Sequence, residues 1–178
     1  MKLTVWQRLD LVARQMVPFV ATLLLVMVAL VPLRLPNAAP VVPWFALIAV
    51  FYWTVFRADL MQPVVVFGIG VFHDLMAGTP LGVGTLILLL VHLAVMPQRR
   101  FFISRSFTMT WIGFAVIGLG AMLLLWLFNT LLEATLLAAK PAAFQYLTTV
   151  AAYPPTAWLF TRLQRWLLRS TGQTAGSS

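Results

Sequence analysis

Long apolar stretches run along this chain, interrupted only at widely spaced points by charge, proline or glycine. Met16 to Leu33 is the first stretch, eighteen residues without a charge, or ~27 Å of helix at ~1.5 Å per residue. Its apolar core exceeds the roughly 7–15 residues of a signal peptide. It therefore reads as an uncleaved anchor, despite its basic start and the small residues Ala38-Ala39. Pro32, Pro36 and Pro40 keep Arg34 to Val42 out of helix. Pro43 to Phe56 is the second stretch, with Pro43 suited to a first helical turn. Trp44 sits at one end of it and Tyr52-Trp53 towards the other, as interfacial aromatic belts do. At ~21 Å of helix, it needs flanking residues to cross a bilayer.

Leu60 to Met96 then has to supply two passes. Leu60 to Phe72 makes only ~20 Å of helix, short of a ~30 Å hydrocarbon core. His73 to Gly82 must therefore dip into the membrane or its interface, where irregular backbone survives only if protein or water satisfies it. Thr79 is a good N-cap and Pro80 a good first residue for the fourth helix. Met96 to Phe107, with Arg99, Arg100 and Arg105, reads as a basic connection. Thr108 to Leu132 is a long span in which Gly113, Gly118 and Gly120 permit close helix approach. After a polar link from Glu133 to Lys140, Pro141 to about Phe160 is the last span, kinked by Pro154-Pro155.

Both ends carry the remaining polarity. Residues 1–15 form either an interfacial amphipathic helix or a solvated basic lead-in, and residues 171–178 are expected to be a disordered tail. Arg162, Arg165 and Arg169 form a stripe opposite Leu163, Trp166 and Leu167, suited to anionic lipid or to a cytoplasmic partner.

Composition settles the medium. Hydrophobic residues make up 62% of the 178 and charged ones 9%, against roughly 25% charged in a soluble domain; mean hydropathy is +0.96. A soluble domain of about 150 residues still exposes roughly 30% of its surface and could not hide this much apolar area. The expected fold is an all-α polytopic membrane domain over residues 1–170, with six transmembrane helices and a short central hairpin of helices 3 and 4. A net charge of +8 would suggest nucleic acid on a soluble protein. Here the basic residues are spread between apolar spans, and ten fall on one side against Arg34 and Lys140 on the other. That asymmetry puts both termini in the cytoplasm. A hairpin at 60–96 that re-enters on the same side gives the same parity, so four spans plus a re-entrant loop stays open; length favours six.

Chemistry is sparse. Asp74, one of four acidic residues, lies between two uncharged apolar runs, where a carboxylate is costly unless it has a use. It could dock a partner, hold a ligand or relay protons. The plainer reading is that it accepts backbone N–H bonds at the start of the fourth helix. His73-Asp74 lacks the further ligands a metal needs, and His92 reads as a packing histidine. Asn129 is expected to bond a neighbouring helix. Gly68, Gly70, Gly78 and Gly82 read as packing and turn glycines, without the lysine and Ser/Thr of a phosphate loop. No nucleophile–base pair or cofactor fingerprint is present, so neither an enzyme nor a cofactor is expected.

The stretch from Pro43 to about Val95 resembles the MreD family of bacterial rod shape-determining membrane proteins. The resemblance rests on Pro43 with Tyr52-Trp53, on Arg57-Ala58-Asp59-Leu60, and on Asp74-Leu75-Met76-Ala77-Gly78-Thr79-Pro80-Leu81-Gly82. Two positions depart from the family pattern: Ala58, where relatives often carry proline, and Gly84, where a larger polar residue is expected. The resemblance implies a non-enzymatic scaffold of the cell-wall elongation complex in the bacterial inner membrane. It would bind MreC and work with MreB, RodA and its transpeptidase to organise peptidoglycan synthesis. It also implies a six-span fold akin to the substrate-binding subunits of energy-coupling-factor transporters, and hence an alternative function as a small-ligand-binding subunit. Such a subunit needs a polar cavity, and few polar groups outside the tip are evident to line one. On the scaffold reading Asp74, Leu75, Gly78, Thr79, Pro80, Leu81 and Gly82 form the partner-binding motif. Pro43, Tyr52, Trp53, Gly68 and Gly70 then serve helix packing.

Overall fold

A computed structural model describes residues 20, 22–27, 42–133 and 138–172, with side chains as far as Arg165. The expected surface helix at 1–15, the loop from Arg34, and the tail from 173 lie outside these residues. The described chain is helical throughout, without strands: α1 (22–27), α2 (Phe45–Phe56), α3 (Pro63–Ala77), α4 (Val83–Ile103), α5 (Phe107–Glu133) and α6 (Ala139–Gly172).

The shortest of the five long helices is the centre of the bundle. α2 is apolar on every side, the pattern of a helix with no solvent face, and each residue from Ala46 to Val55 is buried. It packs on α4 and also touches α3, α5 and α6. The Phe51 ring meets Phe102 of α4, Phe114 of α5 and Tyr153 of α6 edge-on, at centroid distances of 5.7, 5.2 and 5.9 Å. Each such pair contributes about 0.5–1.5 kcal/mol beyond the area it covers. Tyr52 and Trp53 are 2% and 1% exposed, so they are core residues and not an interfacial belt. A helix of ~18 Å is tolerable here because protein, not lipid, surrounds it. The Pro43 turn precedes α2, which begins two residues later than the sequence suggests, and the backbone N–H of Trp44 is met by Thr149 Oγ1 of α6 at 2.9 Å.

α4 and α5 are long and apolar enough to cross a membrane. On α5 the residues Met109, Ile112, Val116, Leu119, Leu123 and Leu127 are exposed at three- and four-residue spacing, a stripe suited to acyl chains. α4 runs on through Pro97 to Ile103, so Arg99 and Arg100 lie on its last turns and the predicted basic connection shrinks to residues 104–106. Gly113 lies against the Phe102 ring, whereas Gly120 faces open space and brings no helix closer.

α6 also outruns its predicted span, continuing through Pro154-Pro155 to Gly172. Pro154 has no N–H to offer the Val150 carbonyl one turn earlier. That carbonyl instead accepts the Trp111 indole N–H of α5 at 3.0 Å. Between α2 and α3, Arg57 donates to both carboxylate oxygens of Asp59 at 3.0–3.3 Å, and these bonds hold the Asp59 carboxyl below its usual range.

Two substitutions follow from this packing. Trp111→Phe leaves the Val150 carbonyl unpaired and is expected to cost about 0.5–1.5 kcal/mol, read from denaturant unfolding in mixed micelles. A Cβ at Gly70 would fall 2.6 Å from the Thr85 Cα, so Gly70→Val is expected to lower stability by about 1–3 kcal/mol or more in the same assay.

Candidate functional site

The turn joining α3 to α4 is built on two glycines with positive φ. Gly78 ends α3 at φ +66° and Gly82 precedes α4 at φ +99°, conformations that a Cβ disfavours. Open space surrounds both, so their role is conformational and they do not bring helices together. α4 begins at Val83, not at Thr79-Pro80. The left-handed Gly82 cannot continue a helix, and the Thr79 hydroxyl is turned to Asp74 Oδ1 at 3.3 Å instead of capping backbone.

A helix that starts at Gly82 has no cap side chain of its own. The carboxylate that normally takes the N–H two or three residues on comes instead from Asp74, near the end of α3. Its Oδ2 accepts the N–H of Gly82 at 3.0 Å, the N–H of Thr85 at 3.1 Å and the Thr85 hydroxyl at 2.9 Å. His73 Nδ1 lies 3.6 Å from Oδ1. Asp74 is 1% exposed, and each bond to a charged group of this kind contributes about 1.5–3 kcal/mol. The positive end of α4 adds to the attraction.

Glycine makes room for this clamp on both helices. Gly70 lets α3 approach Thr85, and at Gly84 any Cβ would collide with Asp74 Oδ1. Gly84 is thus the position on α4 that admits the carboxylate. Thr85 was not singled out from sequence, although a threonine three residues after a capping glycine is the available signal.

Other motif residues point elsewhere. Leu75 and Leu81 are 57% and 68% exposed, and Pro80 is also exposed. Gly68 is half-buried on α3. Arg162 and Arg165 are exposed on α6, with Arg162 over the Trp158 ring at 4.8 Å, while the Arg169 side chain lies outside the described residues. His92 is fully buried; its Nδ1 meets Thr54 Oγ1 at 2.9 Å, but its Nε2 has no partner among the described residues.

Beside the clamp is a cavity of about 310 Å³, to which all six helices contribute. Trp44, His73, Asp74, Thr79, Asn129 and Gln145 give it a polar wall. This corrects the expectation that few polar groups could line a cavity: Asn129 and Gln145 lie on spans remote in sequence from the tip. Asn129 makes no hydrogen bond among the described residues, contrary to its expected role between helices. Arg57 follows the opposite end of α2, and the arginines at 99, 100, 162 and 165 lie towards the opposite ends of α4 and α6.

The sequence model of a family described as rod shape-determining protein MreD matches residues 11–164, most of the chain. Comparison with curated proteins and with solved structures found no match.

Removing the carboxylate isolates its contribution. Asp74→Ala strands the N–H groups of Gly82 and Thr85, at about 1–3 kcal/mol for each buried donor. Hydrogen–deuterium exchange in nanodiscs is expected to speed up at residues 82–86 by roughly 10- to 100-fold, with α5 unchanged. Gly84→Ser is expected to act in the same direction by displacing the carboxylate.

Proposed function

The chain belongs to the MreD family of rod shape-determining membrane proteins, and from that premise we propose that it is a non-enzymatic scaffold of the bacterial cell-wall elongation complex. On this reading it lies in the cytoplasmic membrane as six spans, with both termini and the arginine-rich helix ends in the cytoplasm. The family match over residues 11–164 carries the proposal.

The physical features of the α3–α4 hairpin fit such a role. α3 packs mainly on α4 and only slightly on α2, leaving Val64, Phe67 and Leu75 exposed along one side. Between helices already in lipid, association depends on close packing and interhelical bonds more than on the hydrophobic effect. A hairpin held rigid by a buried carboxylate offers a partner helix a surface that is ordered before binding, which lowers the entropy lost on contact. The proposed partner is the single transmembrane span of MreC, with MreB and RodA and its transpeptidase in the same assembly. Leu81 and Pro80 at the tip extend that surface. Arg162, Arg165 and Arg169 are assigned to anionic lipid headgroups.

Co-purification of MreC tests the proposal. Asp74→Ala is expected to insert as the unaltered chain does yet retain at least about tenfold less MreC, equivalent to ~1.4 kcal/mol or more of lost affinity. Unchanged MreC recovery by Asp74→Ala and by Phe67→Arg alike would remove the hairpin from the interface.

A further inference from the structure

The cavity beside the clamp has features that a scaffold does not require. Its volume, about 310 Å³, is at the lower end of the ~300–1,000 Å³ typical of small-molecule sites. Val26, Phe45 and Leu125 make part of its wall apolar. Against them stand two primary amides on different helices. Asn129 on α5 has no hydrogen-bond partner among the described residues, and Gln145 on α6 makes one long bond, 3.5 Å from its Nε2 to the Val42 carbonyl. Trp44, 2% exposed, also lines the cavity, and its indole N–H has no partner among the described residues.

The buried Trp44 indole N–H costs free energy unpaired, while the Asn129 and Gln145 amides are half-buried and line the cavity. Together they match a ligand that brings both donors and acceptors. Charge narrows its class. No lysine or arginine is among the described lining residues, and an anion would meet the Asp74 carboxylate. A cation finds that carboxylate already occupied by the donors of Gly82, Thr85 and Thr79. The rings of Trp44 and His73, with centroids 5.7 Å apart, supply a partly aromatic wall.

We propose that this cavity binds a small uncharged molecule carrying a carboxamide-like donor–acceptor group on an aromatic body, held by Asn129 and Gln145. The site does not rest on the scaffold reading, which Phe67→Arg tests separately on the outer side of the hairpin.

Benzamide, benzoate and benzamidine share one shape and differ in charge, so they serve as probes. Saturation-transfer NMR is run with the full chain in nanodiscs, using empty nanodiscs as the baseline. Benzamide is expected to give transfer above the baseline while benzoate and benzamidine do not. Asn129→Leu, close to isosteric, is expected to reduce the benzamide signal at least threefold with the thermal unfolding midpoint unchanged. Ala77→Trp, which fills the cavity mouth from the exposed last residue of α3, is expected to do the same and carries the test if Asn129→Leu does not fold. Benzamide at the baseline, equal signals from all three probes, or a benzamide signal indifferent to both substitutions overturns the proposal.

Discussion

A helix that begins away from water presents four backbone N–H groups with no intrahelical partner. α4 begins after a glycine, which has no side chain to answer them. Asp74 reaches across from α3 and accepts two of those groups together with a hydroxyl from the same helix turn. Much of the neighbouring sequence follows from that one requirement. Residue 84 must leave the carboxylate space, residue 70 must let Thr85 come close, and residues 78 and 82 must take conformations that side chains resist. The loop of the hairpin, its second helix start and its packing all depend on the same anion.

The rest of the bundle is arranged around a helix too short to span lipid alone. α2 is enclosed by its neighbours, while the outer stripes of α4 and α5 are apolar and exposed. Burial in this setting is less a matter of leaving water than of close packing and satisfied polar groups. The Trp111 indole on a carbonyl freed by proline, and the Thr149 hydroxyl on the N–H of Trp44 just before α2, are examples from consecutive residues of α6. Where such partners are lacking, around Asn129 and Trp44, the bundle has a cavity.

These two regions give the molecule separable surfaces. The outer side of the hairpin is apolar and open to a helix in the bilayer. The inner side of the same hairpin forms part of the cavity wall. Asp74 is common to both, which makes it a poor residue for telling them apart, whereas Phe67 and Asn129 each belong to one.

Local sequence determined the apolar character, most of the helices and the use of Asp74 as an acceptor at the start of the fourth helix. Each depends on information within one turn or one apolar run: charge spacing, the short reach of residues 60–72, and a carboxylate beside turn residues. The tertiary structure decided what covers each apolar surface. A helix that is apolar all round has the same pattern whether lipid or protein encloses it, so Tyr52 and Trp53 looked interfacial and are instead core. It also decided where α4 starts, because Thr79 is drawn to Asp74 and Gly82 takes up a left-handed backbone. The meeting of Asn129 and Gln145 beside His73 is a matter of helix register and crossing, and no local pattern encodes which faces of distant helices will share a space.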